Sequence, residues 1–172
     1  KSFSSSLTVD SQSLIEFEND FPFTPTPDQI SAFESIKKDL SLIKPMNRVL
    51  CGDVGFGKTE VAMKAAFVSV SSNKQVIVIT PSTILCDQHY DSFLKRYINF
   101  GVTVKKLNRF VSAKDKNNII NEFNLGNIDI LISTHIIFNN NINFMNVGLL
   151  IIDEEHKFGI KQKNLDWGFF RS

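Results

Sequence analysis

Two apolar patterns alternate along this chain, and each predicts a different element. Gln75-Val76-Ile77-Val78-Ile79-Thr80 is an unbroken, β-branched run of strand length, the mark of a strand buried on both faces, and Pro81 stops it. Val102 to Leu107, Ile128 to Ser133 and the Leu149-Leu150-Ile151-Ile152 run after Gly148 repeat the pattern, and Arg48 to Cys51 is a shorter version. Between them the apolar positions spread to helical spacing. Lys58 to Val70 reads as one helix and Ser82 to Asn99 as a second, with Ile84, Leu85, Phe93, Leu94 and Ile98 turned inward. Ala113 to Leu125 is a third, closed by a turn at Gly126-Asn127, and the Asn-rich stretch Phe138 to Asn146 predicts a loop with a short helical turn. Upstream, the prolines of Phe21-Pro22-Phe23-Thr24-Pro25-Thr26-Pro27 exclude a helix interior. Thr26 then suits an N-cap, with Pro27 in the first helical position and Gln29 at capping-box spacing. That helix runs to about Leu42 with Ile30, Phe33, Ile36, Leu40 and Ile43 on one face, and Pro45 ends it. Leu14, Ile15 and Phe17 open a short helical or extended segment after a Ser-rich lead-in.

Strands alternating with helices imply parallel βαβ units, hence an α/β fold: a mostly parallel, doubly wound sheet with helices on both faces. Ligands of such folds gather at the carboxyl ends of the strands. The chemically suggestive residues fall there: Cys51 onward, Thr80, Ser133 and Asp153.

Composition narrows the picture. The chain has 172 residues, 42% of them hydrophobic, which suits one domain with a sizeable core. The formal net charge is +1, so any site for a polyanion must be a local patch. Cys51 and Cys86, the two cysteines, read as free buried thiols of a reducing cytosol. No apolar stretch is long enough to span a membrane, and no signal peptide opens the chain, which predicts a cytoplasmic protein. The chain begins with Lys1 instead of Met, as expected of a piece cut from something longer or processed.

Gly52-Asp53-Val54-Gly55-Phe56-Gly57-Lys58-Thr59 fits the phosphate-loop pattern G-x-x-x-x-G-K-[ST], flanked by a predicted strand and a predicted helix as the motif requires. Gly52, Gly55 and Gly57 let backbone amides turn to a phosphate, and the following helix adds its positive end. Lys58 suits the β- and γ-phosphates and the Thr59 hydroxyl suits Mg²⁺. Asp153 closes an apolar strand, as a direct or indirect Mg²⁺ ligand does, and Glu154 is placed to serve as general base for an attacking water. The two motifs together read as a nucleoside triphosphatase. His156 fits either coupling to a second site or a core hydrogen bond. Gln29 can bond an adenine edge, although spacing alone makes it a capping partner. Phe21 or Phe23 can stack on a base or pack in the core. Thr80-Pro81-Ser82-Thr83 and Ser133-Thr134-His135 suit nucleic-acid phosphates or serve as ordinary N-caps. Lys105, Lys106 and Arg109 form a small basic cluster or a solvated surface.

Taken together, these residues resemble the superfamily 2 helicases and translocases. Within them the similarity is greatest to the bacterial transcription-repair coupling factors, with RecG branch-migration helicases as near relatives. The stretches that carry it are Phe21-Pro22-Phe23 with Thr26-Pro27-Asp28-Gln29, Cys51 through Met63, and Asp153-Glu154-Glu155-His156-Lys157-Phe158-Gly159. Asn108-Arg109-Phe110 followed by Ser112-Ala113-Lys114 is similar to the coupling factors more than to RecG. The resemblance implies a RecA-like P-loop domain, the first of two motor lobes, over residues 14–163, preceded by a lead-in at 1–13 and followed by an atypical tail at 164–172. It implies ATP and Mg²⁺ as cofactors: Gln29 on adenine, Lys58 and Thr59 on phosphate and Mg²⁺, Asp153 and Glu154 on Mg²⁺ and hydrolysis. It assigns Thr80, Pro81, Thr83, Thr134, His135 and Arg109 to DNA, and Glu155 and His156 to coupling. The implied partner is duplex DNA, with RNA polymerase and excision-repair proteins bound through other parts of a longer parent. Two departures stand out. Ser133 occupies a position usually held by Gly, and Leu165 to Ser172 does not follow the family and lacks its Ser/Thr-Ala-Thr motif. An isolated nucleotide-binding module without productive turnover, or a fragment of a RecG-like fork helicase, are the alternatives to a coupling-factor lobe.

Overall fold

The computed structural model describes residues 11–20, 48–52, 59–153 and 168–171, with 27, 29–31 and 34 between them. Helix α1 spans Ser11–Asn19, so helix begins inside the expected lead-in. Strand β1 (Arg48–Gly52) and helix α2 (Thr59–Ser71) flank the phosphate-loop sequence. Then come β2 (Gln75–Ile79), α3 (Thr83–Tyr97), β3 (Val104–Leu107), α4 (Ala113–Asn124) and β4 (Ile130–Ser133). A 3₁₀ turn at His135–Asn139 precedes β5 (Val147–Asp153), and β6 covers Gly168–Arg171. The short helical turn therefore starts before the Asn-rich stretch instead of within it. Pro27, Gln29, Ile30, Ser31 and Glu34 are helical, as expected of the segment after the proline run. Ile30 is 51% exposed, however, so it does not lie on that segment's buried face.

Among the described residues, all six strands pair in parallel, in the order β3-β4-β2-β5-β1-β6. The unbroken apolar runs follow from burial on both sides. Val76 and Val78 face one core with α1, α2 and α3, while Ile77 and Ile79 face a second core with α4 and the 3₁₀ turn. Ile130, Ile132, Leu149 and Ile151 join the first core; Leu131, Leu150 and Ile152 join the second. The unfamiliar tail supplies β6, which extends the sheet beside β1 with Arg48 opposite Gly168.

Helix α2 is buried from Glu60 to Ser69, and its Ala62, Ala65 and Ala66 allow the close approach that a central helix needs. Phe17 of α1 is fully buried, stacked on Phe67 at 4.4 Å between ring centroids, with the Arg96 guanidinium 3.8 Å from its ring. Gly148 is required by proximity: a Cβ there would lie 2.7 Å from the Lys74 Cβ. Gln75 ties the sheet to the far helix, donating from Nε2 to the carbonyls of Phe123 and Ile128, each at 2.8 Å.

The inward face of α3 differs from the expected one. Cys86, His89, Phe93, Arg96 and Tyr97 are buried, whereas Ile84 and Ile98 are 70% and 73% exposed and Leu94 is also exposed. Of the five residues expected inward, Phe93 is fully buried and Leu85 partly buried. The true stripe carries His and Arg because each has a buried partner. Arg96 donates from Nε and Nη2 to the Glu60 carboxylate at 2.7–3.2 Å, and from Nη2 to the Phe17 carbonyl at 2.5 Å. The Tyr97 hydroxyl donates to the Met63 carbonyl.

Candidate functional site

The sheet register brings the two motifs together. Gly52, the last residue of β1, is the Cα partner of Asp153, the last residue of β5. The strands run in parallel, so Gly52 and Asp153 lie side by side at the carboxyl ends of β1 and β5. Helix α2 begins at Thr59, so its amino end meets the phosphate loop, where backbone N–H groups lack helical partners and favour an anion. Gly55, Gly57, Lys58, Glu154, Glu155, His156, Phe21 and Phe23 lie outside the described residues. Gln29 is helical and half-buried.

Asp153 is 1% exposed, and its Oδ2 lies 3.0 Å from Nε2 of His89 in α3, itself 7% exposed. A carboxylate only accepts, so the imidazole donates from Nε2. A carboxylate at the end of a buried strand, paired in register with the first glycine of the phosphate-loop sequence, suits Mg²⁺. That ion takes hard oxygen ligands and is commonly held by one or two protein groups together with substrate phosphates. Among the described residues no group of three or more His, Cys, Asp or Glu is placed to hold a metal by itself, and a phosphate-held Mg²⁺ needs none.

The neighbouring strand ends form a second surface. Thr80 follows β2 and Thr134 follows β4, and they are stapled together: the Thr80 amide donates to the Ser133 carbonyl at 2.8 Å, and the Thr134 amide to the Leu107 carbonyl at 3.3 Å. Thr80 is fully buried, with its hydroxyl directed to the carbonyls of Ser82 and Ser133, and Thr134 is 5% exposed. Both residues expected at the DNA are thus largely covered in the chain by itself, with the Thr80 hydroxyl bonded to backbone carbonyls. Pro81 and Thr83 are half-buried, and His135 and Arg109 are exposed. Ser82 caps α3, its hydroxyl accepting from the Leu85 amide at 3.2 Å. Ser133 is buried, and its hydroxyl donates to the Thr134 carbonyl at 2.7 Å, so a serine is accommodated at this position. Within the basic cluster Lys106 is paired with Asp87 at 3.0 Å, a bond that raises its pKa above the ordinary lysine value, while Lys105 is exposed.

Comparison with known proteins decides the family. The sequence pattern of the DEAD/DEAH box helicases matches residues 26–168. The chain belongs to that family. This helicase domain is 50% identical over 154 residues to the transcription-repair-coupling factor of Borreliella burgdorferi, covering 90% of the chain and 14% of the relative. It is 48% identical over 147 residues to that of Escherichia coli K12, covering 86% and 13%. The chain thus spans about a seventh of the length of these curated relatives. Among solved structures, RecG bound to a three-way DNA junction superposes with a TM-score of 0.81 at 32% identity, over 98% of this chain and 23% of that one. A helicase from Sulfolobus tokodaii, described as a hypothetical ATP-dependent RNA helicase, shares the fold with a TM-score of 0.58 at 17% identity.

Two residues of the helicase domain escaped sequence reasoning. His89 sits in a helix whose polar positions read as surface, and only its spacing of three from Cys86 and four from Phe93 puts it on the buried stripe. Asn108 belongs to the Asn108-Arg109-Phe110 stretch, where nothing in the sequence signals its burial. It is 2% exposed, donates from Nδ2 to Asp87 at 3.2 Å, and accepts from the Phe110 amide at 3.0 Å. It thereby shapes the turn that presents Arg109, whose guanidinium lies 4.8 Å from the centroid of the Phe110 ring.

Proposed function

We propose that this chain is the ATP-binding first motor lobe of a DNA translocase of the coupling-factor type, working in the cytoplasm. The observation that carries the reading is the pairing of Gly52 with Asp153 at one strand edge. Gly52, Gly55 and Gly57 expose amides to the phosphates, Lys58 binds the β- and γ-phosphates, and Gln29 reads the adenine edge. Thr59 and Asp153 would hold Mg²⁺, which when bound neutralises charge on the phosphates. Glu154 takes the proton of the attacking water, and Glu155 and His156 relay the state of the site. Duplex DNA lies along the ends of β2, β3 and β4. Pro81, Thr83, His135 and Arg109 contact its backbone, while Thr80 and Thr134 hold the loops that carry them. The 48–50% identity to coupling factors supports the link to transcription-coupled repair and displacement of RNA polymerase over the RecG-like alternative at 32%.

The test is a graft of residues 14–163 into the matching stretch of the Escherichia coli coupling factor. The chimera is expected to hydrolyse ATP faster when duplex DNA is added, and to lose that turnover with Glu154→Gln while still binding ATP. A folded chimera that binds ATP but gains nothing from DNA would count against the reading.

A further inference from the structure

We propose that His89 is a positioning residue for the Mg²⁺–nucleotide site, orienting Asp153 and mechanically joining it to the nucleic-acid face through helix α3. The inference rests on the nucleotide-site reading above and extends it to a residue that the phosphate-loop and acidic motifs do not contain. Three observations carry it. The Nε2–Oδ2 contact is 3.0 Å, and both side chains are nearly excluded from water, at 8% and 2% exposure. Such a pair is retained only with good geometry, because a buried carboxylate that loses its donor is costly. The two residues lie 64 apart in sequence, on different elements, so the contact is tertiary and has no local cause. Helix α3 is also anchored at the other surface: Ser82 caps it, the Thr80 hydroxyl donates to the Ser82 carbonyl, and Asp87 bonds Lys106 and Asn108. From Ser82 to His89 is about two helical turns, roughly 10 Å at 1.5 Å per residue. A shift at the helix start therefore reaches Asp153 through a rigid path. Groups that orient a metal ligand from behind commonly change metal affinity by about 10–100-fold when removed.

The experiment measures binding of a non-hydrolysable ATP analogue to the 172-residue chain by calorimetry, with Mg²⁺ and with EDTA. The variants are His89→Leu, which keeps apolar volume, His89→Gln, whose amide can still donate, and Lys58→Ala. His89→Leu is expected to leave Mg²⁺-free affinity within about twofold while lowering the gain from Mg²⁺ by about 10-fold or more, with His89→Gln recovering most of it. An unchanged Mg²⁺ gain in folded His89→Leu overturns the role of His89. Unchanged analogue binding in Lys58→Ala overturns instead the nucleotide-site reading beneath it. A second readout is taken on the wild-type chain itself. The imidazole ¹⁵N resonances of the wild-type chain, with His89 assigned through His89→Gln, are followed on adding analogue and then Mg²⁺. The His89 signal is expected to move at the Mg²⁺ step, and a signal indifferent to that step overturns the proposal.

Discussion

Removing the Arg96 guanidinium tests how α1, α2 and α3 are locked around the phosphate-loop helix. Arg96 and Glu60 are 8% and 6% exposed, and the guanidinium makes three close contacts to the carboxylate at 2.7, 3.1 and 3.2 Å. Glu60 follows Thr59 directly, so this fork fixes the first turn of α2, where the phosphate loop ends. The same guanidinium donates to the Phe17 carbonyl and covers the Phe17 ring, which brings α1 into the lock. Arg96→Met keeps much of the aliphatic volume but strands the Glu60 carboxylate in the interior, at a cost of about 3–5 kcal/mol. The further contact to Asp20 at 3.5 Å adds little, because that carboxylate is 41% exposed. Against the 5–15 kcal/mol typical of whole domains, the loss is large. Urea unfolding followed by far-UV circular dichroism measures it. The pair Arg96→Met with Glu60→Leu is expected to be more stable than the sum of the single changes by about 1.5–3 kcal/mol, since neither charge is then left alone. A single-mutant cost below about 1 kcal/mol, or strict additivity, would refute the lock.

Two further outcomes are expected. Gly148→Ala drives a Cβ to 2.7 Å from the base of the Lys74 side chain, which cannot swing aside as a chain tip would. It should cost about 1–3 kcal/mol, read as a lower thermal midpoint, and an unchanged midpoint would contradict the close approach at Gly148. Burial raises the Cys86 thiol above its ordinary 9.0, so folding favours the neutral form. That contribution is complete below pH 9.0 and disappears as pH rises through the folded value. Native protein at pH 9 should therefore resist iodoacetamide at Cys86, by peptide mapping, and react there in urea; prompt native labelling would contradict this.

The parts of this fold legible in sequence were those with one dominant physical cause. A strand buried on both faces needs a continuous β-branched run, and β2, β4 and β5 announced themselves this way. The family was legible because few residue combinations match the Gly52–Thr59 pattern together with the acids from Asp153 onward. The buried stripe of α3 was not, because it is built from Cys86, His89, Arg96 and Tyr97, whose burial depends on partners 21 to 79 residues away in sequence. Periodicity instead pointed to Ile84, Leu94 and Ile98, which lie at the surface. Thr80 and Thr134 have the composition of phosphate-binding positions, but their depth depends on how the ends of β2, β3 and β4 staple together, which only the register reveals. The tail was expected to be atypical, yet the helicase pattern runs to residue 168 and Gly168–Arg171 pairs along β1, whose edge offers backbone groups to an extended segment.

The most direct test of the central claim is calorimetric titration of ATP with Mg²⁺ into the 172-residue chain and into its Lys58→Ala variant. If the ends of β1 and β5 form a nucleotide site, the wild-type chain binds one ATP and the variant loses that binding while keeping its circular dichroism and its unfolding midpoint. Equal binding by both folded proteins, or none by the wild type, would contradict the account.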